Sequence, residues 1–262
     1  MDKIKTIIGK EWAEVFKNKL VLFTVAFLPL LLVAMPLIIL PFMDSETEGM
    51  SEMEELPTAI VGQMCVGLDS LECVQVYMMS LFVLMFMILP VMVPVTIAAY
   101  SIVGEKTTRS LEPLLATPIT TLELLTGKML AAIIPAVVVT WLSYLLFMIG
   151  VWFMASTAVF QALLAPMWLL AILIVGPLLA IFAVSIAIMV SSRVNDPRVA
   201  EQLSGAVIIP IILLLVGQSV GFLLLSPTLV LVAAIIVAVL DVGLVYLAIQ
   251  TFARENILTR WK

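Results

Sequence analysis

"EKTTRSLEPLLATPITTLELLTGK", residues 105–128, is a polar interruption between two long apolar runs. It sets Glu105, Glu112 and Glu123 against Lys106, Arg109 and Lys128, and adds Pro113 and Pro118, in a chain that is 63% hydrophobic. Pro113 suits the first turn of a helix, where a missing N–H is no loss. Leu111, Leu114 and Leu115 make a short apolar stripe beside Arg109 and Glu112. Pro118 closes this piece and forces Thr117 into an extended conformation. Thr120, with Glu123 three residues on, then reads as a capping box that opens a new helix. Lys128 marks the lipid boundary of that helix. The stretch is a descent, a short cross-helix and a re-ascent. Its charges do not converge on a pocket, which suits force transmission better than catalysis.

The flanking runs decide the class. The chain has 262 residues, a mean hydropathy of +1.24 and 12% charged residues, where a soluble domain carries about 25%. A spanning helix needs roughly 20 apolar residues. Six such runs can be read, near 20–42, 76–99, 129–154, 163–190, 204–225 and 228–250. The fold expected is an all-α integral membrane protein, because helices satisfy their own backbone groups in lipid. An outer-membrane barrel would instead show alternating segments of about 10 residues.

Charge orients the spans. With six of them, all 13 Lys and Arg residues fall on one side. By the positive-inside rule that side is the cytoplasm, so both termini are expected there. The first external loop, 43–75, holds eight of the 18 acidic residues and no Lys or Arg. The low pI therefore says little about partners on the basic face, and nothing suggests nucleic acid. The first apolar run is too long for a cleavable signal. Residues 1–19 place Ile4, Ile7, Ile8, Trp12, Val15 and Phe16 at helical spacing, as an interfacial helix would. A bacterial or archaeal plasma membrane suits these flanks.

Few residues offer chemistry. Cys65 and Cys73 face the oxidising side and are close enough for a disulfide, free thiols being the alternative. Four methionines share their loop, but without ligand spacing and with no histidine in the chain they make no metal site. Pro29, Pro36, Pro41, Pro90 and Pro94 kink the first two spans, for packing or for gating. Asp241 falls inside the sixth span; an intramembrane carboxylate is either a functional site or a hydrogen-bonded strut. Gln218 sits inside a weak G-x-x-x-G pattern, Gly217–Gly221. No phosphate-binding loop exists and no triad can be built, so the chain is not expected to be an enzyme.

Residues 104–128 resemble the signature of ABC-2-type permeases, E-[KR]-x-x-G-T-L-E-x-L-L-x-[ST]-P-[ILV]-[ST]-x-x-E-[IL]-x-x-[GA]-K. Glu105, Lys106, Leu111, Glu112, Leu114, Leu115, Thr117, Pro118, Ile119, Thr120, Glu123, Leu124, Gly127 and Lys128 match; Arg109–Ser110 stand where Gly–Thr is usual. "IIGKEWAEVFKNK", "VNDPRVAEQLSGAVIIP" and "AIQTFARENIL" are similar to the family's first helix, second cytoplasmic loop and ending.

The resemblance covers essentially the whole chain and implies a single transmembrane domain, 1–262. It implies the permease subunit of an ATP-binding-cassette exporter, pairing with a second permease, the same or related, and with separate ATPase subunits in a lipid membrane. This chain would bind no cofactor; ATP and Mg would sit on the ATPase. Residues 100–128 would carry the coupling helix, with Glu105, Arg109, Leu111, Glu112, Leu114, Leu115, Pro118 and Glu123 in the coupling region. Reversing Glu105 and Glu112 together would uncouple ATP hydrolysis from transport. Thr96 and Gln218, on the second and fifth spans, would border the pathway, with Asp241 a further pathway residue. The competing reading is a secondary transporter driven by an ion gradient through Asp241, although no internal repeat supports it.

Overall fold

The computed structural model describes residues 2–45, 65, 67–107, 119–222 and 225–251. Its regular elements are helices, with no strand among the described residues. An amphipathic helix α1, Asp2–Lys17, precedes six helical runs long and apolar enough to cross a membrane: Val21–Met43, Ser70–Thr107, Thr121–Met154, Pro166–Ser191, Pro197–Ser219 and Pro227–Thr251. These are the first to sixth spans below.

Prolines set the interruptions. In the second span helix stops at Phe86 and restarts at Leu89. Pro90 has no N–H and its ring would clash with the carbonyl four residues back, that of Phe86. Met87 and Ile88 bridge the gap by donating to Leu84 O and Met85 O. The fourth span was expected from residue 163 as one helix. Instead Pro166 holds Ala165 extended (ψ 142°), separating the helix Thr157–Leu163 from the span.

A second proline, Pro177, lies beyond a π-helical turn at Ala171–Val175. There Gly176 N donates to Ala171 O, and the carbonyl of Ile172 accepts from Trp141 Nε1 at 3.1 Å. The fifth span was expected from residue 204, and residues 194–210 resemble a cytoplasmic loop. Helix starts instead at Pro197, capped by Asp196, whose Oδ1 accepts from Arg198 N at 2.8 Å. It ends at Ser219, before Gly221 at φ +73°.

The second span is the core. Phe86, Leu89, Val91 and Val95 are fully buried, and the Phe86 ring packs on Phe147 at 5.4 Å and edge-on to Tyr144 at 6.5 Å. The third and fourth spans flank it, the first packs on the third, and the sixth on the fourth. One end gathers α1 with the lysines and arginines of residues 106, 128 and 193. Lys106 Nζ there donates to Ser192 O and Val194 O, each at 3.2 Å. The opposite end holds Glu72, whose Oε1 accepts from Ser156 Oγ at 2.7 Å, and a disulfide between Cys65 and Cys73, Cα–Cα 5.0 Å.

α1 packs by one stripe against the third span rather than by its whole apolar face against lipid. Ile7 is buried over Gly127, where a Cβ would come within 2.8 Å of Ile7 Cγ2. Trp12 Nε1 donates to Ala131 O at 3.0 Å.

Candidate functional site

At the basic end, α1, the end of the second span and the start of the third meet in a largely buried charge cluster. Ile7 and Glu11 are four residues apart, so they share a helix face, and packing Ile7 onto Gly127 carries Glu11 inward to 2% exposure. Lys128, one residue past Gly127, lies opposite. Its ammonium donates to Glu11 Oε1 at 2.7 Å and Ser101 Oγ at 2.8 Å, and stands 2.7 Å from Glu105 Oε2. Glu105 is buried as well, and its other oxygen accepts from Lys10 Nζ. Lys10 also faces Glu14 at 3.6 Å. Partial burial alone would lower the Lys10 pKa; the hydrogen bond and charge of Glu105, with Glu14 and Glu11, outweigh this and hold it above the ordinary lysine value of 10.5.

Lys128, expected to mark the lipid boundary of its helix, is enclosed in protein, where it donates to Glu11 and Ser101 and stands at ion-pair distance from Glu105. A buried ion pair gains little net stability but penalises every arrangement that leaves one partner alone. The cluster therefore fixes α1 to the end of the second span and the start of the third. Lys3 adds an exposed pair with Glu123 at 3.6 Å, and Glu123 completes the capping box with Thr120: Thr120 N donates to Glu123 Oε2 at 2.9 Å and Glu123 N to Thr120 Oγ1 at 3.2 Å.

A cavity of about 220 Å³ beside the cluster is lined by Glu11, Glu14, Asn18, Tyr100 and Ser101. Carboxylate oxygens of Glu11, Glu14 and Glu105 lie within 4.8 Å of one another. Lys10 and Lys128 already neutralise them, which leaves a divalent ion little to gain.

Three hydrogen bonds cross between the second and fifth spans. Toward the basic end, Thr96, fully buried, donates to Glu201 Oε1 at 2.6 Å and lies 3.1 Å from Met92 O. Toward the other end, Gln218 Nε2 donates to Ser80 Oγ at 3.1 Å, Ser80 donates to Tyr77 O at 2.6 Å, and Tyr77 OH to Ser219 O at 2.8 Å. Asp241 stands apart on the sixth span. It is 5% exposed, and neither carboxylate oxygen has a hydrogen-bond partner among the described residues.

A protein-family model described as "ABC-2 family transporter protein" matches residues 5–231. This chain belongs to the ABC-2 transporter family. No curated protein matches it. The match takes in α1 from residue 5 on, the 105–128 stretch and the first five spans, so the charge cluster lies wholly within the matched residues.

The structure places Glu105 inside the cluster and Glu123 at its edge. Arg109, Leu111, Glu112, Leu114, Leu115 and Pro118 lie outside the described residues. Thr96 and Gln218 both face the contact between the second and fifth spans, while Asp241 is on another helix. Sequence reasoning missed Lys10, Glu11, Ser101, Ser80 and Glu201. The Ile7–Glu11 spacing was a usable signal, since it puts a carboxylate on a face that must be packed. Ser101, Ser80 and Glu201 carried none.

Proposed function

We propose that this ABC-2 family membrane protein is the permease subunit of an ATP-binding-cassette exporter, driven by ATP hydrolysis on a separate subunit. It would work with a second permease, the same or related, in a bacterial or archaeal plasma membrane, with its termini and the 108–118 elbow in the cytoplasm. The chain itself carries no nucleotide-binding motif; ATP and Mg belong to the ATPase. The observation that supports this reading most is the charge cluster of buried Glu11, Glu105 and Lys128 with the partly exposed Lys10. It ties both legs of the elbow to α1, so a push on the elbow moves α1, the second span and the third as one body.

In this reading the coupling residues divide by task. Glu105 acts from inside, holding the lever rigid. Arg109, Leu111, Glu112, Leu114, Leu115 and Pro118 form the surface an ATPase grips. Displacing the second span loads its contacts with the fifth, Thr96–Glu201, Ser80–Gln218 and Tyr77–Ser219, and their exchange opens a path between the paired permeases.

The test is to purify the tagged chain from its native membrane and assay the ATPase activity that accompanies it. An ATP-binding-cassette subunit should co-purify, and Glu112→Lys should lose it or leave hydrolysis without transport. Glu112 is the better first target, since reversing the buried Glu105 would also disturb the fold. Recovery of a stable chain with no ATPase would overturn the reading in favour of an ion-gradient transporter using Asp241.

A further inference from the structure

A cavity of about 170 Å³ lies among the second, fourth, fifth and sixth spans, and its lining is apolar. Three departures from regular α-helix converge on it. Met87, in the break of the second span, faces it. Ala171 and Val175, the two ends of the π-helical turn, face it too. Pro210 lines it just after the 3₁₀ turn Ala206–Ile208 of the fifth span. Such irregularities are uncommon inside helices and gather at functional sites. Pro210 is exposed and Leu229 and Val237 are half-buried, so the cleft opens at the surface of the chain. An apolar cavity of about this size stays dry and takes up small apolar molecules.

Asp241 lies beyond this lining. On the sixth span the lining includes Val230 and Val237. At about 100° per residue, Asp241 falls within roughly 40° of both around the helix, one turn beyond Val237. Its carboxylate is buried with both oxygens unpartnered among the described residues. The chain has no Lys or Arg between Lys128 and Arg193, or between Arg198 and Arg254. Lys106, at the basic end of the second span, spends its donors on Ser192 O and Val194 O. The fourth, fifth and sixth spans thus offer Asp241 no cation within the membrane, where a carboxylate is costly unless paired.

We propose that this cleft binds an amphipathic monocation, an aliphatic amine or quaternary ammonium, with its apolar body in the cavity and its positive charge on Asp241. The lining selects against a polar body, and the single carboxylate against a second charge. This site is separate from the elbow and from the Thr96 and Gln218 contacts. It belongs to the chain itself, so it stands or falls independently of the ATPase.

The experiment is equilibrium binding of radiolabelled decyltrimethylammonium, below its micellar range, to the full chain in lipid nanodiscs, with empty nanodiscs as the background. Wild type should bind saturably. Asp241→Asn, which keeps the shape and removes the charge, should bind more than about tenfold more weakly, as loss of one charge-assisted contact implies. Asp241→Glu should retain binding, and Ala233→Phe, which fills the cavity, should abolish it. Each variant is first checked for a monodisperse, helical protein. If Ala233→Phe does not fold, the Asn and Glu variants decide alone. No saturable binding above background, or equal affinity in wild type and Asp241→Asn, would overturn the proposal. Either result leaves the exporter reading untouched.

Discussion

Replacing Lys128 by Met keeps most of the side-chain volume and deletes one charge from the middle of the cluster. Three groups lose their partner at once: Glu11 Oε1 and Glu105 Oε2, each 2.7 Å away, and Ser101 Oγ at 2.8 Å. Lys10 still reaches Glu105, but Glu11, 2% exposed, keeps no ammonium of comparable geometry. Removing one member of a buried pair costs about 3–5 kcal/mol, so Lys128→Met should lower the unfolding free energy by that much in reversible unfolding from lipid–detergent micelles. Glu11→Gln in the same background removes the stranded charge. The double variant should then be more stable than the sum of the two single effects by about 0.5–3 kcal/mol, the range seen for residues in contact. A Lys128→Met protein within about 0.5 kcal/mol of wild type, or strict additivity in the cycle, would show that the ammonium is not paired in the membrane. The lever argument would go with it.

Two further outcomes probe the same joint. Gly127→Ala should destabilise the protein by about 1–3 kcal/mol as an overpacked contact does, because the added Cβ meets Ile7 Cβ at 3.0 Å as well as its flexible tips; Ile7→Ala should restore part of the loss in the same unfolding assay, and a neutral Gly127→Ala would contradict the close approach of α1. The raised pKa of Lys10 means that the folded protein holds this proton more tightly than the unfolded chain, so its contribution is complete below the ordinary value of 10.5 and is lost as pH rises through the folded value. Stability should therefore fall more steeply above pH 10.5 in wild type than in Lys10→Met, and superimposable curves would refute the pairing with Glu105.

The spans were legible because each is a contiguous apolar run, and the capping box because its two members are three residues apart. Residues 194–203 were harder. Their polarity reads as loop, yet Asp196 and Pro197 form a helix start whose helix packs on the second span. The charge cluster was hidden for a different reason. Lys10 and Glu105 are 95 residues apart and Lys128 and Glu11 are 117 apart; no local periodicity encodes such pairs. By resemblance Glu105 is a coupling residue, and a motif records that a residue is needed without saying whether it faces a partner or the interior.

The same contrast bears on Asp241. Among the described residues, the buried charges at the basic end have found each other across most of the chain, and Glu201 takes a hydroxyl from Thr96. A carboxylate kept only to hold helices together would be expected to do likewise, since Thr, Ser or Gln on a facing span is the ordinary way to satisfy it in lipid. The fourth span carries a buried hydroxyl, Ser185, which donates to its own helix at Ile181 O. A carboxylate without a partner among the described residues, one turn beyond an apolar cavity on the same helix stripe, is better explained by a cationic ligand than by packing.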